Sequence, residues 1–338
     1  MKHINIPIFI PHLGCPNQCV FCNQRTISGV SEFDIKSVEN SINTVLKTVT
    51  PDASVEIAFF GGSFTGIDRK LMVQLLGIAK KYMDIGRVSS VRCSTRPDYI
   101  NEEVLDLLIA YGVTTVELGL QSVSDNVLLI TKRGHNYEAE KKAVDLIKRK
   151  GIELVGQMMI GLPGSTPENE IETADFIINC GAKAARIYPT VVFKDTELCD
   201  MAVKGIYTPL DMESAVLRSA AVFERLVNAG VTVIRIGLCA SENLMSEKTY
   251  YAGPNHPAMG ELVLNQYFLN MAERKIDVIS PNSGSVLKIC HPRGARSKIA
   301  GQKNRNKILL IDKYGLSDIV FFEDDSLSEF DITVTEER

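Results

Sequence analysis

Residues 115–160 read TVELGLQSVSDNVLLITKRGHNYEAEKKAVDLIKRKGIELVGQMMI. An apolar run of strand length, residues 115–120, is followed by an amphipathic stretch of helix length, 138–149, and by a second apolar run, 154–160. Parallel neighbouring strands need a long crossover connection, which is usually a helix. This stretch therefore predicts a β-α-β unit.

The same alternation covers most of the chain. Apolar runs predict strands at residues 4–10, 55–60, 88–93, 115–120, 154–160, 185–189 and 231–237. Amphipathic runs predict helices at residues 35–47, 69–83, 101–111, 138–149, 167–180 and 211–229. Six or seven such units predict an α/β fold, a partial (β/α)6-type barrel whose functional loops follow the carboxyl ends of the strands.

The pattern changes after residue 238. A predicted helix at 257–274 is followed by short β-prone segments at 276–280, 286–290, 307–311, 319–322 and 332–334. We expect a barrel core over residues 1–238 and a small C-terminal α+β appendage over 239–338, with a substrate-binding or accessory role.

Composition narrows the class of protein. The 338 residues are 45% hydrophobic and 23% charged, which is typical of a globular chain. Lys and Arg number 37 against 41 Asp and Glu, so the net charge of -4 excludes a general polycation and makes any nucleic-acid contact local. No apolar run reaches the ~20 residues of a membrane span, and no signal peptide is apparent. We expect a cytoplasmic protein whose eight cysteines are reduced thiols or metal ligands.

Three cysteines lie within eight residues, directly after the first predicted strand: Cys15, Cys19 and Cys22. Such a cluster of thiolates suits a soft metal centre. Zinc would normally need a fourth ligand, which His3 or His12 would supply. An iron–sulfur cluster held by three cysteines keeps one iron open for another molecule. The other five cysteines are scattered singly, so the spacing leaves both kinds of centre open.

The Cys-x3-Cys-x2-Cys pattern after the first strand of a βα barrel resembles the radical S-adenosylmethionine (radical SAM) superfamily. The resemblance implies a [4Fe–4S] cluster on the three cysteines, whose open iron binds the methionine moiety of S-adenosylmethionine. It also implies that an electron passed through the cluster yields a 5′-deoxyadenosyl radical. Such an enzyme is oxygen-sensitive and takes its electron from a donor of flavodoxin or ferredoxin type.

Four further motifs agree with this resemblance in order and in predicted context. Gly61-Gly62-Ser63 follows the second strand and resembles the motif whose backbone binds the methionine amino group. The segments 94–100 and 116–122, which contain Ser94, Glu117 and Gln121, resemble the subset with oxygen-independent coproporphyrinogen oxidases and the radical domain of the Elongator catalytic subunit. In that subset Gln121 corresponds to a ribose ligand and Arg133 to the partner of the methionine carboxylate.

The fourth motif, residues 157–164, adds Gln157, where the porphyrin-oxidising relatives have an Asp that contacts the ribose. Gln retains donor and acceptor groups for that contact. The resemblance further implies that Phe21 and Ile160 form apolar walls around the adenine. Packing in the core accounts equally well for these two side chains.

The appendage carries the one strong charge asymmetry. Seven cations and no Asp or Glu lie between residues 288 and 307. Phosphate is the partner that such a surface suits, and the candidate ligands are Arg293, Arg296, Lys298, Lys303, Arg305 and Lys307. The alternative is a solvated hairpin whose lysines protect a sheet edge.

A polar and aromatic segment, residues 250–261, follows the last predicted barrel strand. Tyr251 and His256 are candidate catalytic groups there, because a phenol or an imidazole can handle a proton near the barrel mouth. A single loop histidine is more commonly structural.

Together these patterns predict a radical SAM enzyme that modifies tRNA or another phosphate-bearing substrate. Two alternatives stay open at this point. One is a radical enzyme that acts on a small anionic metabolite or a tetrapyrrole, as coproporphyrinogen oxidases do. The other is a non-catalytic carrier of a cluster or haem.

Overall fold

The computed structural model describes residues 3–10, 15, 19–23, 33–50, 52–239 and 246–337. Seven parallel strands form the main sheet, in the order β1-β2-β3-β4-β5-β6-β8. They are β1 (His3–Phe9), β2 (Ser54–Phe60), β3 (Ser90–Thr95), β4 (Val113–Gln121), β5 (Glu153–Ile160), β6 (Ala184–Pro189) and β8 (Thr232–Ile236). The sheet curls into a half-barrel, and β1 and β8 are its two edges, so the predicted partial barrel is confirmed.

Helices connect successive strands, as the amphipathic patterns predict. They are α1 (Ile35–Leu46), α2 (Arg69–Asp84), α3 (Glu102–Ala110), α4 (Asp125–Ile130), α5 (Tyr137–Arg149), α6 (Pro167–Asn179), α7 (Glu197–Val203) and α8 (Met212–Asn228). Side chains of Asp, Asn and Thr cap the first turns of α1, α2, α3, α5, α6, α7 and α8. The short helices α4 and α7 lie in segments for which the sequence analysis predicts no element.

The strands bury one face against the helices and turn the other toward the lumen of the half-barrel. In β1, Ile6 and Ile8 are buried, whereas the alternate residues Asn5, Pro7 and Phe9 line the lumen. Polar side chains therefore occupy strand positions that face inward. The interior is a lined cavity rather than a second apolar core.

Beyond the barrel, Val192–Phe193 (β7) and Tyr250–Ala252 (β9) pair antiparallel. A long helix, α9 (Met259–Ile279), packs on α8. A second sheet then has the order β11-β10-β12. The remaining elements are β10 (Val286–His291), α10 (Arg296–Ala300), α11 (Arg305–Tyr314), β11 (Asp318–Glu323) and β12 (Thr333–Glu336). The main core is continuous from Ile6 on β1 to Ile332 beside β12.

Two β-strand predictions in this region are wrong. Residues 276–280 are the end of α9, where Ile276 continues the buried face formed by Tyr267 and Ala272. Residues 307–311 lie in α11, where Asn306 and Leu310 are buried one turn apart. In both segments helical spacing of the buried residues outweighs a local run of β-branched side chains.

No helix in the described ranges is long and apolar enough to cross a bilayer. The domain boundary at residues 238 and 239 stays a prediction.

The turn after β2 generates a test of the fold. A Cβ on Gly61 would lie 2.8 Å from the Ile10 carbonyl oxygen. The backbone of Gly61 also has a φ of +100°, which is unfavourable for residues with a side chain. We expect Gly61→Ala to lower the free energy of unfolding by roughly 1–3 kcal/mol, measured by urea denaturation. Gly77 in α2 has nothing within 4 Å of its Cβ position, and Gly77→Ala should instead raise stability by roughly 0.5–1 kcal/mol. Equal effects of the two substitutions would contradict the close approach.

Candidate active site

A cavity of about 430 Å³ lies inside the half-barrel toward the carboxyl ends of the strands. Seven of the predicted cofactor residues line it: Phe21, Gly61, Gly62, Ser94, Glu117, Gln121 and Gln157. Ser63, Arg133 and Ile160 are buried outside its lining, and Ile160 packs in the main core. Five segments of the chain, the residues that follow β1 and β2 and the strands β3, β4 and β5, thus bring the seven residues to one place.

The three cysteines lie at one end of this cavity. Cys22 lines it directly, and the thiol of Cys15 lies 3.5 Å from Ser63 Oγ. Cys19 is 7% exposed, and its sulfur accepts hydrogen bonds from Arg133 Nη1 at 3.3 Å and Arg96 Nη1 at 3.7 Å. Two guanidinium groups therefore face one sulfur, and their hydrogen bonds and charges favour its anionic thiolate form.

The described residues offer no group of three His, Cys, Asp or Glu side chains that meet at a single metal ion. The irons of a cubane cluster bind separate thiolates, so its cysteines need not converge on one point. His3 is at the start of β1, away from the cysteine segment, and its Nε2 lies 3.4 Å from Glu56. The zinc alternative with His12 falls outside the described residues.

Gln121 and Arg133 hold unused hydrogen-bonding capacity in a buried place. Gln121 ends β4 in a left-handed conformation, with φ of 72°, at a shift in the register with β5. Such an irregularity redirects a side chain at a functional site. Gln121 Oε1 and Arg133 Nε are both buried without a hydrogen-bond partner. An unsatisfied acceptor and an unsatisfied donor beside the cysteines are the groups that a polar ligand would satisfy.

Glu117 on β4 forms the centre of an ion-pair network in the lumen. Its carboxylate accepts hydrogen bonds from Arg92 at 2.9 Å, Arg186 at 2.8 and 2.9 Å, and Gln157 at 2.8 Å. Burial raises the pKa of Glu117, but the hydrogen bonds and charges of Arg186 and Arg92 outweigh it and leave the pKa lowered. Its carboxylate is thus occupied by protein groups, and Gln157 is held by it.

A second polar network lies behind Arg96 and Arg133. Arg96 donates to both oxygens of Asp98 at 2.9 Å and to the backbone oxygen of Arg133. His135 lies between Asp98, at 3.5 Å, and Glu140, at 3.1 Å. Burial raises the pKa of Glu140 to about 7 despite the nearby His135. This network fixes the Arg96 guanidinium, whereas Arg133 Nη2 donates to the backbone oxygen of Gly119 at 2.5 Å.

Several residues that line the cavity were not predicted from the sequence, above all Phe9, Phe60, Arg186, Tyr188 and Arg235. Arg186 and Arg235 are partners in the register of β6 and β8. Arg186 is neutralised by Glu117, whereas Arg235 has no ion pair within the described part of the chain. The available signal was an arginine within each of the predicted strands 185–189 and 231–237.

The other candidates lie elsewhere. His256 Nδ1 accepts the backbone N–H of Ala258 at 3.1 Å, and Tyr251 is 41% exposed on β9. Neither lines the cavity, so no contact supports a catalytic role for them. Lys307 lies 2.6 Å from Asp318, so its charge is already neutralised. Five of the six predicted phosphate ligands, all except Lys307, have no ion pair with a described residue.

Comparison with known proteins gives two family matches. The profile described as Radical SAM superfamily matches residues 9–177, and that of the Radical SAM C-terminal domain matches 182–268. An uncharacterized protein of Methanocaldococcus jannaschii is 31% identical over 62% of this chain and 68% of its own length. The tRNA uridine(34) acetyltransferase of the same organism is 29% identical over 52% of this chain, which spans 36% of that enzyme.

Among solved structures, the archaeal Methanocaldococcus infernus Elp3 has a TM-score of 0.61 at 21% identity, covering 81% of this chain and 63% of its own. This likeness shows the same fold. The residues of the cavity also fit the two cofactors that the sequence resemblance implies. Two cationic groups face the Cys19 sulfur, and the unsatisfied polar atoms of Gln121 and Arg133 are available to a ligand.

The buried Glu140 generates a pH test. Because its folded pKa is raised from 4.5 to about 7, the stability it contributes is complete below pH 4.5 and is lost as the pH rises to about 7. We expect Glu140→Gln, which stays neutral, to gain in Tm relative to the wild type as the pH rises from about 5 to 8. Glu138 on the same helix is exposed, and Glu138→Gln should show a difference that does not vary with pH. A constant difference for Glu140→Gln as well would contradict the raised pKa.

Proposed function

Because this chain belongs to the radical SAM superfamily, with a [4Fe–4S] cluster and S-adenosylmethionine as its cofactors, we propose that it modifies a nucleotide of tRNA. Cys15, Cys19 and Cys22 hold the cluster in this proposal. Gly61, Gly62, Gln121 and Arg133 bind S-adenosylmethionine. The cofactors supply one-electron cleavage of the sulfonium C–S bond to methionine and a 5′-deoxyadenosyl radical, with the electron from a flavodoxin- or ferredoxin-type donor.

The observation that carries the proposal is the chemistry of the cavity beside the cysteines. Phe9 and Phe60 form a tilted aromatic pair with ring centroids 6.1 Å apart, and Arg186 lies over the Phe60 ring at 5.5 Å. Flat apolar surfaces and cationic forks are the groups that bind an unstacked base and its phosphate. Arg235 is the cation in this lining that keeps its charge for a ligand.

Two groups of relatives support a tRNA substrate. Besides the acetyltransferase, human Elongator complex protein 3 is 32% identical over 42% of this chain. The chain spans about a third or less of both relatives, so their complete reactions are not carried over.

Arg235 also favours a second candidate, a small anionic metabolite as substrate.

One experiment separates the tRNA substrate from the metabolite substrate. The reconstituted protein is incubated without oxygen with dithionite, S-adenosylmethionine and bulk tRNA from a strain that lacks it. We expect 5′-deoxyadenosine together with a new tRNA nucleoside by mass spectrometry. Formation of 5′-deoxyadenosine that increases with a metabolite extract, and not with tRNA, would overturn the tRNA proposal.

The cysteine assignment has its own test. We expect Cys15→Ala, Cys19→Ala and Cys22→Ala each to lose the cluster, whereas the anaerobically reconstituted wild type holds about four iron atoms per chain. Cys180→Ala, at a half-buried thiol distant from the cavity, should retain the full iron content. Iron analysis measures both. A complete cluster in any of the first three variants, or stoichiometric zinc in the wild type, would contradict the assignment.

Arg133 is tested separately from the cluster. Arg133→Ala removes a charge-assisted contact to the methionine carboxylate, worth roughly 1.5–3 kcal/mol, so affinity for S-adenosylmethionine should fall about ten- to a hundred-fold with iron content unchanged. Equilibrium dialysis on the reconstituted protein measures this affinity. Arg149→Ala, at an exposed arginine ending α5, serves as the control and should bind normally. Wild-type affinity in the Arg133 variant would show that the residue has another role.

A further inference from the structure

The C-terminal unit, defined here as residues 259–336, extends beyond both family matches, the second of which ends at residue 268. Within this unit, residues 286–323 have the order strand, helix, short turn, helix, strand: β10, α10, residues 301–304, α11 and β11. β10 and β11 are parallel, and β12 pairs antiparallel on the other side of β10. Two helices joined by a four-residue glycine-containing turn are the device with which KH modules clamp the backbone of four nucleotides.

The turn Gly301-Gln302-Lys303-Asn304 has a defined conformation that a buried side chain stabilises. Gly301, Lys303 and Asn304 all have positive φ, of 77°, 52° and 60°. A Cβ on Gly301 would lie 2.9 Å from the side chain of Asn306. Asn306 is 3% exposed and donates to the backbone oxygens of Asn265 at 2.8 Å and Ile299 at 3.1 Å. A buried amide therefore ties the turn to α9 and α10, while Gln302, Lys303 and Asn304 stay exposed.

The charge around this turn is uncompensated. Lys298, Lys303 and Arg305 flank or form it, and Arg293 and Arg296 precede it. None of the five has an ion pair with a residue in the described ranges. Two carboxylates contact this segment: Glu323 Oε1 accepts the N–H of Gly294 at 3.2 Å, and Asp318 pairs with Lys307 at 2.6 Å. A protein of net charge -4 that leaves five cations unpaired in one segment has a surface complementary to a polyanion.

Apolar surface adjoins these cations. Ile308 and Leu309 are 53% and 40% exposed. They lie three and four residues after Arg305 on α11, so they share its side of the helix. A duplex presents phosphates with its bases stacked inside, whereas unpaired nucleotides present both phosphates and base faces. The combination of cations and apolar side chains fits the unpaired form.

We propose that the turn at residues 301–304, with Lys298, Lys303 and Arg305, is a binding site for the backbone of a single-stranded RNA segment. This inference deepens the proposed function, on which it rests for the nature of the substrate. The turn supplies exposed residues, 302–304, and cations, and α11 supplies the apolar contact to the bases. The site is separate from the cavity that holds the radical chemistry.

The test uses the full reconstituted chain and a fluorescein-labelled single-stranded RNA, with a duplex of the same length as competitor. We expect the single strand to bind more tightly than the duplex by fluorescence anisotropy. Lys303→Gln with Arg305→Gln should weaken binding about tenfold and flatten the log–log salt dependence by about 1.4, because each contact to a single strand contributes about 0.7. The control is the double variant Lys36→Gln/Lys47→Gln, which removes the same charge at exposed positions at the start of α1 and just after its end. It should bind the single strand as the wild type does.

A second pair of variants separates the shape of the turn from its charge. Asn304 has φ of 60° and its side chain makes no capping hydrogen bond. Asn304→Gly should keep the turn and the binding. Asn304→Val, which disfavours positive φ at unchanged charge, should weaken binding about tenfold while thermal unfolding shows a folded protein.

Wild-type binding by Asn304→Val, or equal affinity for duplex and single strand, would overturn this inference. The tRNA nucleoside assay decides the proposed function independently. Binding at the turn without a modified nucleoside contradicts the proposed function alone. A modified nucleoside that forms equally well with Lys303→Gln/Arg305→Gln contradicts this inference alone.

Discussion

The buried carboxylate of Glu117 is the interaction on which the architecture of the lumen depends. It joins Arg92 on β3, Gln157 on β5 and Arg186 on β6, and Arg92 also binds Glu56 on β2 at 2.6 Å. Five adjacent strands are thereby linked across the inside of the sheet. Buried charges carry a large desolvation cost, so each must keep its partner. The network keeps the half-barrel polar and hollow where apolar layers would fill it, and the cavity is the result.

The cysteine end of the cavity depends on a second constraint, the placement of two guanidinium groups. Arg96 is held by Asp98, and Asp98 is in turn near His135, which Glu140 contacts. Burial of Glu140 raises its pKa, whereas the pKa of Asp98 is lowered, because hydrogen bonds from His135 and Arg96 outweigh the effect of its burial. The chain thus fixes its cationic groups before any cofactor binds, so binding needs less rearrangement.

The repeating β-α units were predictable because apolar residues are spaced differently in strands and in helices, and each spacing runs through a whole element. Cys15, Gly61 and Gln121 could be chosen as candidates because their motifs follow strand ends, which lie together at one end of a barrel of parallel strands. The β-strand predictions for residues 276–280 and 307–311 were wrong because a short run of apolar, β-branched residues occurs both in strands and in buried helices. Arg186 and Arg235 were missed because only the curvature of the sheet shows which strand face is the lumen. The partners of Glu117 were equally invisible, since they come from strands distant in sequence.

The core that runs without a break from β1 to Ile332 joins the C-terminal unit rigidly to the half-barrel. Tyr267 on α9, 1% exposed, donates to the backbone oxygen of Phe330 at 2.8 Å and packs edge-on against Phe223 of α8. The separation between the turn at residues 301–304 and the lumen is then set by the packing of one core. If an RNA strand is bound at the turn, the nucleotide that reaches the lumen would lie a fixed number of nucleotides from the bound segment. The protein would then select the nucleotide to be modified by its distance along the RNA from the segment bound at the turn.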